Sequence, residues 1–167
     1  MSTTGPGPTH LAVTVRPATS DDVGFLSDAH RAGLHAIAEV RGGELDSLLR
    51  GRPEPIGATF EAELDDPDFI VEIGCLDGVP VGYLVLERRL LRDHQRTLAV
   101  IRDLWVHPEI RGVGVGSELM TQAYGHGREW EAIGLDSRAL PGDRFTKNFF
   151  ESFGLVARTI EVFGALD

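Results

Sequence analysis

Residues 104–119 carry the strongest chemical signal in the sequence, because an apolar stretch there passes through closely spaced glycines into a helical pattern. The glycines are Gly112, Gly114 and Gly116. The first amides of a helix have no partner inside the helix, and the helix dipole favours negative charge at that end. Glycine lacks the Cβ atom that would hold an anion away from those amides. The segment therefore predicts a backbone cradle for a phosphate or diphosphate group.

Two familiar nucleotide-binding loops do not match these glycines. A dinucleotide fingerprint requires G-x-G-x-x-G, and its third glycine position falls on Ser117 when counted from Gly112 or on Leu119 when counted from Gly114. A Walker A loop requires a Gly-Lys pair, and no lysine follows the glycines here. The cradle therefore suits another phosphate-bearing ligand.

The pattern that the segment does match is the signature of the GNAT family of N-acetyltransferases: Gln or Arg, two residues, Gly, one residue, then Gly or Ala. Arg111, Gly114 and Gly116 supply it, and the family's L-x-V-x-P strand end precedes it at residues 104–108. The sequence resembles the core of the family over about residues 69–162, which is more than half of the chain.

This resemblance implies acetyl-coenzyme A as the cosubstrate. In the family, amides of the turn hold the coenzyme diphosphate, and the end of the fourth strand offers backbone hydrogen bonds to the pantetheine arm. An amide there would also polarise the thioester carbonyl. The resemblance assigns coenzyme binding to Trp105, Val106, Arg111, Gly112, Val113, Gly114, Val115, Gly116, Ser117 and Asn148. Because the family often dimerises, it also implies a homodimer.

Direct transfer to an amine requires a base, because an alkyl ammonium group keeps its proton until about pH 10. The family often uses a carboxylate on the fourth strand, which here indicates Asp103, with Glu109 just after the strand as a second candidate. A salt bridge is the alternative interpretation for Asp103, and a plain surface turn position is the alternative for Glu109.

The tyrosine that usually serves the family as acid is replaced in this sequence. Residues 143–155 align with the family's N-x-x-A-x-x-x-Y-x-x-x-G-F segment, and Phe150 stands at the tyrosine position. The coenzyme then leaves either as a thiolate protonated by water, or with help from Tyr124, Ser152 or Asn148. Two functions stay open: an N-acetyltransferase acting on a small-molecule or peptide amine, and a catalytically silent coenzyme-binding module with a regulatory or partner-binding role.

Composition limits the partners and the setting of the chain. Of its 167 residues, 42% are apolar and 25% are charged, and the formal net charge of −10 argues against DNA or RNA as a partner. No apolar run approaches the roughly 20 residues that span a membrane, so no membrane partner is expected. The single cysteine, Cys75, favours a reducing, cytoplasmic setting. The histidines and Cys75 show no metal-binding spacing, so no metal site is predicted.

The periodicity of apolar residues predicts the elements that position the turn. Strands are predicted over residues 11–16, 69–76, 80–87, 98–106, 132–137 and 155–163, and helices over the segment after Asp22, 37–50, 56–64, the segment after Gly116 and 144–152. We expect a flexible N-terminal arm over residues 1–10 and a single domain over residues 11–167. The resemblance implies the GNAT-like acyl-CoA N-acyltransferase fold, which is an α/β fold. Its mixed, mostly antiparallel sheet is splayed between the fourth and fifth strands and flanked by helices.

Overall fold

Five strands form one mixed sheet in the computed structural model, which describes residues 11–166. In order across the sheet they are β1 (Val13–Pro17), β2 (Phe69–Leu76), β3 (Val79–Leu90), β4 (Thr97–Val106) and β5 (Leu135–Asp136). The first four strands are antiparallel, and β5 lies parallel to β4. The arm predicted over residues 1–10 lies outside the described residues.

Helices pack on both faces of the sheet, which explains why the central strand β3 reads as a nearly continuous apolar run. Tyr83 and Val85 of β3 face the core formed with α1 (Val23–Ala38) and α3 (Ile56–Asp65). Leu84 and Leu86 face the opposite core, formed mainly with α4 (Val115–Glu129). The remaining helices are α2 (Gly43–Arg50), which follows α1, and α5 (Arg144–Ser152), which adds Phe150 to the α4 core.

The strand β4 leaves the sheet open on one side. It pairs with β5 only at Ala99 and Val100 and then continues to Val106 beside β3 alone. A bulge also interrupts its pairing with β3, because Val85 faces Asp103 while Leu86 faces Ile101, so that Arg102 is an extra residue. The open edge gives access to the backbone of β4.

The fold class predicted from the sequence is confirmed, and so is its splay between β4 and β5. The helix predicted over residues 37–50 is wrong in extent, because Gly42 takes a left-handed conformation with φ 83° and separates α1 from α2. The strand predicted over residues 155–163 is also wrong. Residues 155–166, here called the C-terminal tail, contain no strand.

Two features explain why the C-terminal tail is not a strand. The neighbouring β5 has only two paired residues, which is too short a template for a further strand. Charged side chains hold the tail instead, since Arg158 binds Asp136 with two contacts of 2.6 Å and Glu161 binds Arg50 at 2.8 Å.

Within residues 11–166, no helix combines the length and the apolar character that crossing a bilayer requires. Cys75 is a free, buried thiol on β2. The cytoplasmic setting inferred from it stays a prediction.

Candidate active site

The turn before α4 presents a row of backbone amides to the surface. Gly112 and Gly114 have φ values of 87° and 104°, a region that residues with a Cβ rarely adopt. The first backbone bond of α4 runs from the Glu118 amide to the Gly114 carbonyl, at 3.0 Å. No acceptor among the described residues bonds the amides of residues 112–117. Six amides, from the turn and from the first residues of α4, are therefore unpaired, and unpaired amides at a helix N-terminus are suited to bind an anion.

An apolar cleft of about 360 Å³ extends from this turn between β4 and α5. Gly116 allows α5 to approach closely, because a Cβ there would lie 3.3 Å from Cζ of Phe149. Arg111 crosses the cleft, donating from Nε to the Val106 carbonyl at 3.2 Å with its guanidinium 5.1 Å from the ring centre of Phe145. The cleft can therefore hold a narrow, mostly apolar chain that ends in an anionic group at the turn.

Most residues that the resemblance assigns to coenzyme binding come together here. Those that line the cleft are Trp105, Val106, Arg111, Gly112, Gly114, Gly116 and Ser117. Val113 is exposed and Val115 is buried in the core, so their contribution to the turn is limited to backbone amides. Asn148 is exposed on α5 and lies outside the cleft.

A second, larger cavity of about 980 Å³ lies beyond the cleft. The residues that line both the cavity and the cleft are Leu104, Trp105, Arg111, Thr146 and Phe150. Its other walls come from α1, α2, β4, the segment after β5 and the C-terminal tail. Ligands bound in the cleft and in the cavity would therefore approach each other beside β4.

A largely buried group of charged side chains forms part of the wall of this cavity, to which His30, Arg52 and Asp103 all contribute. Asp103 on β4 lines the cavity, and its Oδ2 accepts a hydrogen bond from Nη2 of Arg52 at 2.5 Å. The other terminal nitrogen of Arg52 binds Glu63 at 2.6 Å, and the guanidinium stacks 4.1 Å from the ring centre of Phe60. On the opposite side, Oδ1 of Asp103 is 3.5 Å from Nδ1 of His30. We refer to His30, Arg52, Glu63 and Asp103 as the buried cluster.

The pKa values in the buried cluster move in opposite directions. Burial alone would raise the pKa of Asp103, but the hydrogen bond from His30 and the positive charge of Arg52 outweigh it and hold that pKa below its usual value. The pKa of Glu63 is raised, because the effect of burial on this carboxyl is larger than the opposing effect of the hydrogen bond and charge of Arg52. Burial, reinforced by the charge of Asp103, raises the pKa of Tyr83 well above its ordinary value. Asp103 is therefore the carboxylate that stays ionised most readily.

The second proposed carboxylate and the alternative acids lie elsewhere. Glu109 is exposed in the short turn Pro108–Ile110 and lines neither the cleft nor the cavity. The Tyr124 hydroxyl donates to the Phe153 carbonyl at 2.6 Å, and the Ser152 hydroxyl donates to the Phe149 carbonyl at 2.6 Å. Both hydroxyls are thus engaged with backbone.

Sequence reasoning missed Arg52 and Glu63, and it considered His30 only as a metal ligand. These residues lie on or between different elements, and no local spacing connects them with Asp103, which is 51 residues from Arg52. In the described part of the chain, no group of three or more His, Cys, Asp or Glu side chains is arranged to hold a metal ion.

A turn with unpaired amides beside a splayed mixed sheet, with a cleft and a cavity meeting at one strand, is the arrangement of the acyl-CoA N-acyltransferase fold. The sequence profile of the acetyltransferase (GNAT) family matches residues 37–155. The chain therefore belongs to the GNAT family, as the signature at Arg111 predicts, and it is an N-acetyltransferase.

Solved structures with the same fold are distant in sequence. A tetramutant of the BH1408 protein of Bacillus halodurans is 19% identical with a TM-score of 0.78, over 92% of this chain and 99% of that one. The aminoglycoside N-acetyltransferase AAC(6′)-Iy in complex with CoA is 17% identical with a TM-score of 0.70, over 96% and 99%. An aminoglycoside acetyltransferase from an uncultured soil metagenomic sample, in complex with sisomicin, is 16% identical with a TM-score of 0.69, over 93% and 97%. Comparison with curated protein sequences gives no match.

Proposed function

We propose that this N-acetyltransferase moves the acetyl group of acetyl-CoA directly onto an amine of a small molecule. The observation that carries the proposal is the set of six unpaired amides at residues 112–117. An ionised diphosphate is the ligand that best matches several unpaired amides around a helix N-terminus.

The chain's residues fit the rest of the coenzyme. The diphosphate would bind the turn, and the pantetheine arm would lie in the cleft beside Trp105 and Val106. The Val106 carbonyl is engaged by Arg111, so coenzyme binding would require Arg111 to release it. When bound, acetyl-CoA supplies an activated acetyl thioester at the point where the cleft meets the cavity.

A small molecule suits the cavity better than a peptide does. Its volume of about 980 Å³ lies at the upper end of the roughly 300–1,000 Å³ typical of small-molecule sites. Its walls come from several elements, including α1, α2 and the C-terminal tail, rather than from one open groove. Two fold neighbours are aminoglycoside acetyltransferases, which supports a small amine as the acceptor class.

Of the two candidate carboxylates, Asp103 is the one that we place at the acceptor amine, because it lines the cavity and Glu109 does not. For the leaving group we propose protonation by water. Phe150 occupies the junction, and the Tyr124 and Ser152 hydroxyls are engaged with carbonyls. A thiol with a pKa of about 8.5 leaves without an acid more readily than an alcohol would.

The test combines binding and turnover on the purified chain. Calorimetry with CoA is expected to show one-to-one binding, and thiol release from acetyl-CoA is expected with at least one member of a panel of small amines. CoA binding without turnover on any small amine or peptide amine would favour the alternative, a silent coenzyme-binding module. Absence of CoA binding would refute the proposed role of the turn.

We further propose that residues 11–167 act as one domain and that the chain forms a homodimer through the C-terminal tail. Five large apolar side chains there are 75–98% exposed: Val156, Ile160, Val162, Phe163 and Leu166. Together they expose on the order of 500 Å² of apolar surface, much of the roughly 800 Å² per partner in a stable interface. Sedimentation velocity is expected to show a dimer for the parent chain and a monomer for the double variant Ile160→Ser, Val162→Ser. A monomeric parent chain would refute the homodimer.

A further inference from the structure

We infer that His30 is the final acceptor of the proton that the acceptor amine loses, and that Asp103 passes this proton to it. This inference rests on the proposed function, since it assigns a role within the same cavity. His30 acts through Asp103, so it is a positioning and proton-holding residue rather than a group in contact with the substrate.

The first support is the order of the groups. Asp103 and His30 both line the cavity, but the side chain of Asp103 is 19% exposed whereas that of His30 on α1 is only 8% exposed. Their nearest atoms, Oδ1 of Asp103 and Nδ1 of His30, are 3.5 Å apart. A proton that reaches the more exposed carboxylate from the cavity therefore has an imidazole nitrogen close to it.

The second support is that Asp103 is a poor place for the proton to remain. Its Oδ2 is held by Arg52, whose cation also faces Glu63. Burial raises the pKa of Asp103, but the hydrogen bond that His30 donates once Nδ1 carries a proton, together with the charge of Arg52, keeps that pKa below its usual value. A weakly basic carboxylate can transfer a proton but cannot store it, whereas imidazole can store one near neutral pH.

The third support is the hydrogen bonding of His30. Nδ1 is 3.3 Å from the Tyr83 hydroxyl, and Nε2 is buried with no partner among the described residues. When Nε2 carries the proton, the Nδ1 lone pair accepts from Tyr83 and faces the Asp103 carboxylate without a hydrogen between them. Adding a proton at Nδ1 converts this contact into an ion pair with Asp103.

The groups that face His30 are consistent with a stored positive charge. Asp103 on β4 and the Tyr83 hydroxyl on β3 are the polar groups nearest to it, and the ring of Phe60 on α3 packs edge-on at 6.1 Å between ring centres. Arg52, the nearest cation, is neutralised by Glu63 and Asp103 on its two terminal nitrogens.

The acceptor nitrogen loses two protons during the reaction, and each proton has its own destination. The ammonium form of the acceptor loses one proton to Asp103, which passes it to Nδ1 of His30. The neutral nitrogen then forms a bond to the thioester carbon, and the carbon–sulfur bond breaks as the amide forms. The second proton of the nitrogen goes, through water, to the departing sulfur and yields coenzyme A. His30 returns its proton to solvent before the next turnover.

The experiment measures kcat/KM against pH for the full chain with acetyl-CoA and two small amines of different pKa. The parent chain is expected to show an inflection that falls at the same pH for both amines, because it belongs to the protein and not to the substrate. In His30→Gln, kcat/KM at pH 7 is expected to fall about 100-fold, with no inflection and a steady rise toward the pKa of each amine. Asp103→Asn is expected to behave in the same way.

A matched control and a separate binding measurement keep the outcomes distinct. His35→Gln changes an exposed histidine on the same helix, and its pH profile is expected to match the parent. CoA affinity is expected to be unchanged in all variants. A parent-like pH profile in His30→Gln would overturn the inference alone, whereas absence of turnover in the parent chain would overturn the proposed function and the inference together.

A second measurement covers the case in which His30→Gln does not fold. NMR of the His30 ring in the intact parent chain is expected to show a different protonation state of Nδ1 from that in Asp103→Asn at the same pH, because the carboxylate stabilises a proton there. An Nδ1 state that is the same in both chains would also overturn the inference.

Discussion

Replacing Gly114 with alanine tests whether the turn amides bind the coenzyme. Gly114 is the N-cap residue of α4 and has φ 104°, and its carbonyl accepts the first backbone bond of that helix. A methyl group in this conformation costs about 1–2 kcal/mol. For a chain of this length, that cost lowers the melting temperature by about 2–8 °C.

The same methyl group has a separate effect on binding. Nothing in the chain lies within 4 Å of the position that it would take, so it projects into space that the bound diphosphate is proposed to use. Loss of one hydrogen bond to a charged group costs about 1.5–3 kcal/mol, which corresponds to a rise in the Kd for CoA of roughly 10- to 100-fold. Isothermal titration calorimetry measures this change, and a thermal melt measures the stability.

Gly42→Ala is the matched control for Gly114→Ala. Gly42 is also the N-cap of a helix, has φ 83°, and accepts a backbone bond from Asp46 at 3.0 Å. It also has no heavy atom within 4 Å of an added Cβ, and it lines neither the cleft nor the cavity. Both variants should therefore lose similar stability while only Gly114→Ala loses affinity. A Gly114→Ala chain that binds CoA as tightly as the parent would refute the proposed diphosphate site.

Three further predictions follow from buried and charged groups. Arg52→Met leaves Asp103 and Glu63 buried without their cation and is expected to destabilise the fold by about 3–5 kcal/mol at pH 7. Near pH 5 the loss of stability is expected to be smaller, because the carboxylates take up protons. Thermal melts measure the loss, and an equal loss at both pH values would contradict the prediction. The hydrogen bonds from Arg16 outweigh burial and lower the pKa of Asp22 in the folded chain to about 2. The ionised Asp22 therefore stabilises the fold fully above the pKa of an aspartate in the unfolded chain, about 3.9, and this stabilisation is lost as the pH falls through about 2. Asp22→Asn should accordingly melt lower than the parent at pH 7 and converge with it in acid. Phe150→Tyr places a hydroxyl at the junction of the cleft and the cavity. If the coenzyme leaves as a thiolate without an acid, kcat is expected to change by less than about tenfold. A larger gain in kcat would show that protonation of the departing thiolate limits the parent enzyme.

Local sequence signals were sufficient to predict several elements of the fold. The strand over Phe69–Leu76 and the helix over Arg144–Ser152 have the predicted bounds, because apolar periodicity and turn residues determine them within a few neighbours. The cradle was equally predictable, since left-handed glycines and a helix N-terminus are both local properties. The C-terminal tail shows the limit of this reasoning. Its alternating apolar residues suit a strand, but a strand forms only where a partner is available.

The buried cluster was not predictable for a different reason. Asp103 was recognised by its position on the fourth strand, but the groups that determine its chemistry come from α1, α3 and the segment that joins α2 to α3. Only the packed structure shows that Arg52 binds both Asp103 and Glu63. The two interpretations that the sequence left open for Asp103, a salt bridge or a base, therefore do not exclude each other, because Asp103 forms the salt bridge with Arg52 and also lines the cavity in which we propose that it acts as the base.

The electrostatics of the cavity differ from those of the whole chain. The formal net charge is −10, yet the acidic side chains on the cavity wall are largely paired with arginines that line the same wall. Asp46 and Glu161 bind Arg50, Asp136 binds Arg158, and Asp103 binds Arg52. Seven arginines and five carboxylates line the cavity, so its wall has no net negative charge to attract a polycation. We therefore expect shape, together with the proposed role of Asp103, to have more influence on acceptor choice than the acidity of the chain does.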